Sequence, residues 1–402
     1  MNSITNRAPS CPKIGCEFSV QPPPAKKGPT PPARRETASG SAARAGGGGE
    51  VVAGAIVTSL EARLQKKIDL ELPLIVTASK AGVKEKLRNL LRSMPGESLF
   101  PCEAECCYDG GSDHLRPKTM NRREFLTWAR RAALAAPAAV LGYGLFEASW
   151  FHVARHTIAI PNLPAAFDGL TIALLTDLHH GRFTSLHYIR TIVEVTNAQQ
   201  ADIIALGGDY AHAHRRYIPP CLEMLAELKA RLGVFGVLGN HDHWYDARLT
   251  RECMRRSHIA DLTNTGYWLL RGTSRLRIGG VDDFWEGAQE LSAALGDASA
   301  DETCILLSHN PDYVETISDR RVGLVLSGHT HGGQIVLPGV GAPYVPSMYG
   351  QKYLHGLVRT AYTQVYVSRG LATIGPPVRL GARPEISLIR LTTPTSGISL
   401  PA

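Results

Sequence analysis

An α/β fold is expected for residues 152–402, and three observations point to it. From residue 171 onward, short apolar runs alternate with longer amphipathic stretches. The runs are bounded by Gly, Asp, Asn or Ser, and polar residues of metal-ligand type follow five of them. Alternation of this kind is the mark of strands and helices packed in layers. The runs 171–176, 203–206, 234–238, 304–307 and 322–326 are apolar at successive positions, as strands buried on both faces must be. Residues 185–200, 219–231, 247–256 and 311–318 read as the intervening helices. Residues 267–270, 276–279, 334–337, 364–367 and 386–391 read as later, antiparallel strands. No internal repeat is present.

The chain of 402 residues is 44% hydrophobic and 20% charged. That leaves room for one large or two ordinary domains and excludes collagen-like, wholly disordered and multi-span membrane chains. The net charge of +7 would ordinarily raise nucleic acid or an anionic membrane as a partner. Its location argues otherwise. Residues 1–120 hold 17 basic and 12 acidic side chains, residues 121–150 hold 4 and 2, and residues 151–402 hold 22 of each. Fourteen of the 15 histidines lie from His152 to His355. The chemistry therefore belongs to a neutral, His-rich body, and no nucleic-acid partner is expected.

Residues 1–119 read as a disordered, low-complexity leader: Pro22-Pro23-Pro24, Pro31-Pro32 and Gly46–Gly49 leave too little apolar surface to offset chain entropy. One helix is expected near Lys80–Arg92. Cys11, Cys16, Cys102, Cys106 and Cys107 lack the paired spacing or His partner of a zinc site and read as unpaired thiols. The texture changes at 120–151. Arg122-Arg123, Phe125-Leu126 and Arg130-Arg131 precede an uncharged run from Ala132 to Phe146, which resembles a twin-arginine export signal. Fifteen residues of helix span about 22 Å, short of a hydrocarbon core of roughly 30 Å. Ala136-Pro137-Ala138 lies inside the run and cannot end it as a cleavage site, so an uncleaved anchor stands beside a cleaved signal. A signal that begins at Met120 makes Met120 the expected start of translation. The body's Cys221, Cys253 and Cys304 show no disulfide framework.

The chemistry sits after the strands. Thr176-Asp177-Leu178-His179, Gly207-Gly208-Asp209, Gly239-Asn240-His241-Asp242, Ser308-His309 and Ser327-Gly328-His329-Thr330-His331 each follow one expected strand. C-terminal strand ends share one edge of an open α/β sheet, so these groups should converge. Gly208, Gly239 and Gly328 precede key residues where the chain must turn sharply or approach a ligand. Carboxylates, imidazoles and an amide oxygen, with no thiolate, suit divalent Mn, Fe or Zn.

In this order the five blocks resemble the calcineurin-like metallophosphoesterase superfamily, and Gly328–Gln334 resembles its bacterial branch that carries twin-arginine signals or membrane anchors. The resemblance covers residues 168–392. It implies an αββα four-layer sandwich with mixed sheets and a two-metal site at the strand C-terminal ends. It further implies that Asp177, His179, Asp209 and His331 hold one ion, and that Asp209 bridges to a second held by Asn240, His309 and His329. His241 would serve the leaving oxygen, with Asp242 orienting its imidazole. The reaction implied is hydrolysis of a phosphate mono- or diester by a metal-bridging hydroxide, which needs no covalent enzyme intermediate.

The substrate stays open, a lipid- or envelope-linked phosphoester among the alternatives. Relatives also suggest pyrophosphate hydrolysis of UDP-2,3-diacylglucosamine in lipid A synthesis, which would need a body on the cytoplasmic face of the membrane. A non-catalytic, metal-bearing envelope-binding module is the reading from another class. The expected location is the bacterial inner membrane or periplasm, with membrane contact through 120–151 and twin-arginine export machinery as a partner. Around the blocks, His180 reads equally as a substrate contact or a rim cap, and His212, His214 and His243 as solvated loop residues. His187 and His355 read as packing or surface residues, and Asp282-Asp283-Phe284-Trp285 as a turn with a packed aromatic. Tyr210 is a candidate pocket wall and Arg379 a candidate phosphate contact.

Overall fold

The computed structural model describes residues 18–23 and 121–394. Strand β1 (Phe18–Gln21), helix α1 (Arg122–Ser149) and strand β2 (His152–Ala159) precede the central run. That run comprises β3 (Thr171–Leu175), α2 (Leu186–Ala198), β4 (Ile203–Leu206), α3 (Ile218–Leu225), β5 (Val234–Gly236), α4 (Asn240–Arg256) and β6 (Ala260–Asp261). Then follow β7 (Thr265–Arg271), β8 (Ser274–Gly280), α5 (Leu291–Leu295), β9 (Cys304–Leu307), β10 (Val322–Ser327), β11 (Gly356–Arg359), β12 (Gln364–Val367) and β13 (Glu385–Thr392). The strands form two mixed sheets, ordered β1-β7-β8-β9-β10-β12-β11 and β2-β13-β3-β4-β5-β6.

The apolar runs are explained by what lies on each side of them. Ile203 and Ala205 of β4 point into the core between the sheets, where they join Ile305 and Leu307 of β9 and Leu324 and Leu326 of β10. Ile204 and Leu206 point outward, against Ile189 and Ile192 of α2 and Leu222 and Leu225 of α3. On the far side, Leu306 and Val325 pack against Leu295 of α5 and Val314. The result is helix, sheet, sheet, helix: the four-layer sandwich. Strands β3, β4, β5 and β6 run parallel in one sheet, and β8, β9, β10 and β12 in the other. Their C-terminal ends reach one edge of the sandwich.

Several expectations need correction. Residues 334–337 form no strand; Ile335 and Leu337 make only isolated bridges, to Leu380 and Gly341. Pro311–Thr316 is a 3-10 helix, and α3 ends at Leu225, six residues before Arg231. Helix α4 begins at Asn240, inside the metal-ligand block, and breaks at Asp246, whose carboxylate caps the second part through Leu249 N–H at 2.9 Å. Strands 276–279 and 364–367 lie parallel to β9 and β10 on one side as well as antiparallel on the other. Cys221, Cys253 and Cys304 are buried free thiols. Lys80–Arg92 and the leader cysteines lie outside the described residues.

The leader is not disordered throughout, because Phe18–Gln21 pair antiparallel with Arg271 to Trp268 at the edge of the first sheet. Phe18 lies edge-on to Phe167, with ring centroids 6.0 Å apart, and beneath the guanidinium groups of Arg231 at 4.2 Å and Arg271 at 4.5 Å. Four residues of alternation are too short a signal to read from sequence; the strand exists because an edge was open to receive it. Phe18–Gln21 therefore belong to the folded unit.

Helix α1 is capped by Asn121, whose Oδ1 accepts from Arg123 and Glu124 N–H at 3.1 and 2.9 Å. Only Gly144 and Glu147 of its 28 residues are buried. Both are held by the segment before β13. Arg379 N–H donates to the Gly144 carbonyl at 2.9 Å, and Gly381 and Ala382 N–H donate to the Glu147 carboxylate at 3.3 and 3.0 Å. Arg383 stacks over Trp150 at 3.6 Å and donates to its carbonyl.

Replacing Phe18 by Ala should lower the melting temperature by about 2–8 °C, since partial loss of an aromatic contact costs about 1–2 kcal/mol and 1 kcal/mol is worth about 2–4 °C in a fold of this size. A calorimetric or circular-dichroism melt reads the change.

Candidate metal centre

Seven side chains from five loops meet at the shared edge. Asp177 and His179 follow β3, Asp209 follows β4, Asn240 opens α4, His309 follows β9, and His329 and His331 follow β10. All seven are buried, none more than 4% exposed. Oxygen and nitrogen atoms of Asp177, His179 and His331 lie within 4.8 Å of one another, as do those of Asp177, Asp209 and His309. The two groups share Asp177. His309 Nε2 lies 3.2 Å from Asp209 Oδ2, and His179 Nε2 lies 3.5 Å from the same oxygen.

The imidazoles turn one nitrogen each toward the cluster. His309 Nδ1 donates to the Gly207 carbonyl at 2.7 Å, and His331 Nδ1 to the Ala372 carbonyl at 3.1 Å. A carbonyl accepts only, so each Nδ1 carries a proton and each Nε2 is the atom left for the cluster. His331 Nε2 then faces His179 Nε2 at 3.1 Å, and His329 Nδ1 faces His309 Nε2 at 3.2 Å. Asn240 Oδ1 is buried without a hydrogen-bond partner. Buried polar atoms without partners are costly, and divalent cations would satisfy them. The residues fit a two-metal centre.

The backbone is strained where these side chains are held. Asp177, His179, Asp209, His329 and His331 have φ of 57°, 41°, 58°, 69° and 52°, the left-handed region that non-glycine residues rarely enter. Such strain costs on the order of 1 kcal/mol or more per residue and gathers where function demands it. Two glycines keep the approach open: a β-carbon at Gly239 would collide with the Asp209 carboxylate, and one at Gly328 with Thr176 and Asp177.

Charge is balanced by mutual pKa shifts in the metal-free protein. Burial and the neighbouring Asp209 raise Asp177 to about 6 against the pull of His309. Burial would raise Asp209 too, but His309 and His241 overcome it and hold the carboxyl well below its ordinary range. Burial acts to lower His309, yet Asp209 and Asp177 push it up to about 10. Burial lowers His179 and His329 well below the usual imidazole range and His331 to about 3. One proton on His309 thus stands among neutral imidazoles, and a divalent ion would displace it.

Asp242 does not orient His241, as the sequence suggested. Its carboxylate accepts backbone N–H from Asp209 at 2.8 Å, Gly239 at 2.9 Å and Tyr210 at 3.1 Å. It braces the loops that present Asp209 and Asn240. His241 instead places Nδ1 at 3.3 Å from the Tyr245 hydroxyl, one helical turn on, and packs edge-on against His179 with centroids 4.7 Å apart. His212 is no solvated loop residue: its ring lies 5.3 Å from His241 and 5.6 Å from His179, and the three form a further ligand-type group. Their spacings, four residues from His241 to Tyr245 and three from Asp209 to His212, were visible but carry no weight before the loops are placed.

Around the centre, Trp285 sets its ring edge-on to His329 at 4.4 Å, while Phe284 packs on Tyr313 at 5.8 Å. Trp244 stands 4.6 Å from His241 and donates from its indole to Glu286 at 2.8 Å. His243 is paired with Asp282 at 2.8 Å rather than solvated. His180 is a structural rim residue, its Nδ1 bonded to the Thr184 carbonyl at 2.8 Å, and His214 accepts from Arg216 N–H at 3.1 Å. His187 and His355 are exposed. Tyr210 is packed in the core rather than on a pocket wall: it is buried and donates to the Val237 carbonyl at 3.0 Å. Arg379 meets no substrate either, being fully buried, with its guanidinium on the carbonyls of His331, Arg369, Ala372 and Ala382.

Residues 170–333 match the calcineurin-like phosphoesterase family model. Over 289 residues the chain is 34% identical to the uncharacterized metallophosphoesterase YkuE of Bacillus subtilis, covering 68% of this chain and 98% of that protein. The chain belongs to the calcineurin-like metallophosphoesterase family. It is also 31% identical to the phosphodiesterase YaeI of Escherichia coli, over 68% of this chain and 99% of that one. A transmembrane protein with metallophosphoesterase domain from Danio rerio is 29% identical over 64% of this chain and 62% of its own length. A metal-dependent phosphoric ester hydrolase with two divalent ions is what membership means, and the reading as a non-catalytic module falls away.

The His243–Asp282 pair makes a pH prediction. Its hydrogen bond to Asp282 raises the His243 pKa above the ordinary value of 6.5. The stability this contributes is full below 6.5 and is lost as pH rises through the raised value. NMR titration should find His243 titrating above 6.5, and Asp282→Asn should bring it back toward or below that value.

Proposed function

We propose that the protein hydrolyses a phosphate mono- or diester, with Asp177, His179, Asp209 and His331 holding one ion and Asp209, Asn240, His309 and His329 the other. The observation that supports this reading is the convergence of buried carboxylates and imidazoles at the strand ends, in groups whose ligand atoms lie within 4.8 Å of one another, a donor set that divalent cations bind. The two ions, when bound, supply a water ionised near neutral pH and neutralise charge on the phosphoryl oxygens. Asp242 keeps the Asp209 and Asn240 loops in register. His241 has Nδ1 engaged by Tyr245, so Nε2 is the atom that donates a proton to the leaving oxygen. Burial lowers the His241 pKa while Asp209 opposes it; an anionic substrate shifts the balance toward the protonated, donating form.

Chelation of the metals should abolish hydrolysis of bis-p-nitrophenyl phosphate, and Mn²⁺ should restore it. His241→Ala should lower kcat by about 10²–10⁴-fold with KM changed far less. A wild type no faster than His241→Ala would sink the reading.

We further propose that α1 anchors the body to a membrane by an uncleaved, twin-arginine-type segment. By length and composition it passes as a membrane span, with its uncharged run Ala132–Phe146 reaching about 22 Å and the stems of Arg130 and Arg131 extending the apolar surface at one end. Phe125 and Trp128 flank one end, and Phe146 and Trp150 the other, as aromatic belts do at interfaces. Arg122, Arg123, Arg130 and Arg131 lie at the end remote from the body. Phe18–Gln21, before the helix in the chain, pair with β7 of the body, so both lie on one face of the membrane. The protein should remain in membranes after carbonate washing; its release into the supernatant would sink the anchor.

A further inference from the structure

We infer that the substrate is an amphiphilic phosphoester drawn from the membrane, its apolar part entering a cavity beside His331. This rests on the phosphoesterase reading above and adds the substrate class. The cavity holds about 260 Å³ and is lined by Ile335, Pro343, Tyr344, Pro346, Ile374 and Pro376, together with Thr330, His331 and Gln334. His331 also belongs to the metal cluster, so cavity and centre share that residue. A wall of proline, isoleucine and tyrosine offers no cation and no carboxylate to a sugar phosphate or nucleotide, but it does offer contact to methylene groups.

The anchor leads to the same place. Gly144 and Glu147 at the end of α1 are bonded to Arg379, Gly381 and Ala382. That strip is in turn bonded to the cavity loop: Val336 N–H donates to the Leu380 carbonyl at 2.7 Å, and Leu380 N–H to the Gln334 carbonyl at 3.0 Å. The Gln334 amide closes the join on Pro376 and Ile374 at 3.0 and 3.2 Å. Helix end, strip and loop therefore lie side by side. The loop carries Leu337, Val340, Tyr344 and Met348 exposed, at 41%, 67%, 70% and 68%. Exposed apolar side chains in one patch beside an apolar helix mark a surface that meets lipid. A lipid whose headgroup reached the metals would keep its chain along this loop.

The test uses the full-length, metal-loaded protein reconstituted in phosphatidylcholine vesicles, with p-nitrophenyl alkyl phosphodiesters from methyl to octyl as probes. KM should fall at least tenfold from methyl to octyl, since one fully buried methylene is worth about fourfold. Ile374→Asn and Tyr344→Ser should each cut that gain by at least threefold. Tyr344 is mostly exposed, so its variant keeps the fold, as a melt will verify. A wild type with no chain-length gain overturns the inference, as does a gain that survives in both variants, which would reflect partition into the vesicle alone. Absence of hydrolysis even of the methyl ester instead overturns the phosphoesterase reading itself.

Discussion

Two carboxylates, Asp177 and Asp209, are buried side by side among imidazoles, and the surrounding structure is arranged around that. Two anions removed from water at close range repel each other and cannot both stay ionised unless positive charge joins them. In the metal-free protein His309 supplies it by holding a proton. In a two-metal enzyme the cations supply it, and the same groups become ligands. The groups nearby keep these carboxylates in place: the Thr176 hydroxyl and His329 N–H donate to Asp177, His241 N–H donates to Asp209, and Asp242 braces the Asp209 loop through three backbone donors.

The sandwich makes this burial affordable. Parallel strands in both sheets deliver their C-terminal ends to one edge, so each loop contributes one or two polar groups and no strand gives up its apolar core. The strain follows from the same demand. Five candidate ligands adopt left-handed backbone because short loops must turn and aim a side chain inward within two or three residues. The layers beneath, packed on both faces of each sheet, hold those conformations against relaxation.

On its outer side, the centre is continuous with the segment that secures α1. Arg379 was a candidate for phosphate binding, yet its guanidinium is spent on four backbone carbonyls, including that of His331. A buried cation with such partners fixes a loop. It ties the backbone at His331 to the strip that grips Glu147, so α1 and the metal cluster share one piece of backbone. This is how a helix so poorly buried still has a defined place on the body.

The fold class, five core strands and all seven candidate ligands were legible in the sequence. Apolar runs report burial on both faces, and side-chain types after strands report chemistry without reference to distant contacts. What could not be read depended on partners remote in sequence. Strand Phe18–Gln21 exists because an edge strand 250 residues away accepts it. Residues 334–337 look like a strand but lack a neighbour to pair with over their length. Asp242 stands beside His241 in sequence, yet successive helical residues point in different directions. Its carboxylate turns to the backbone while Tyr245, one turn on, meets the imidazole. By itself the sequence determined which atoms are available for catalysis. Only the tertiary structure decided which of them face each other, because orientation and desolvation arise when separate loops close around the same point.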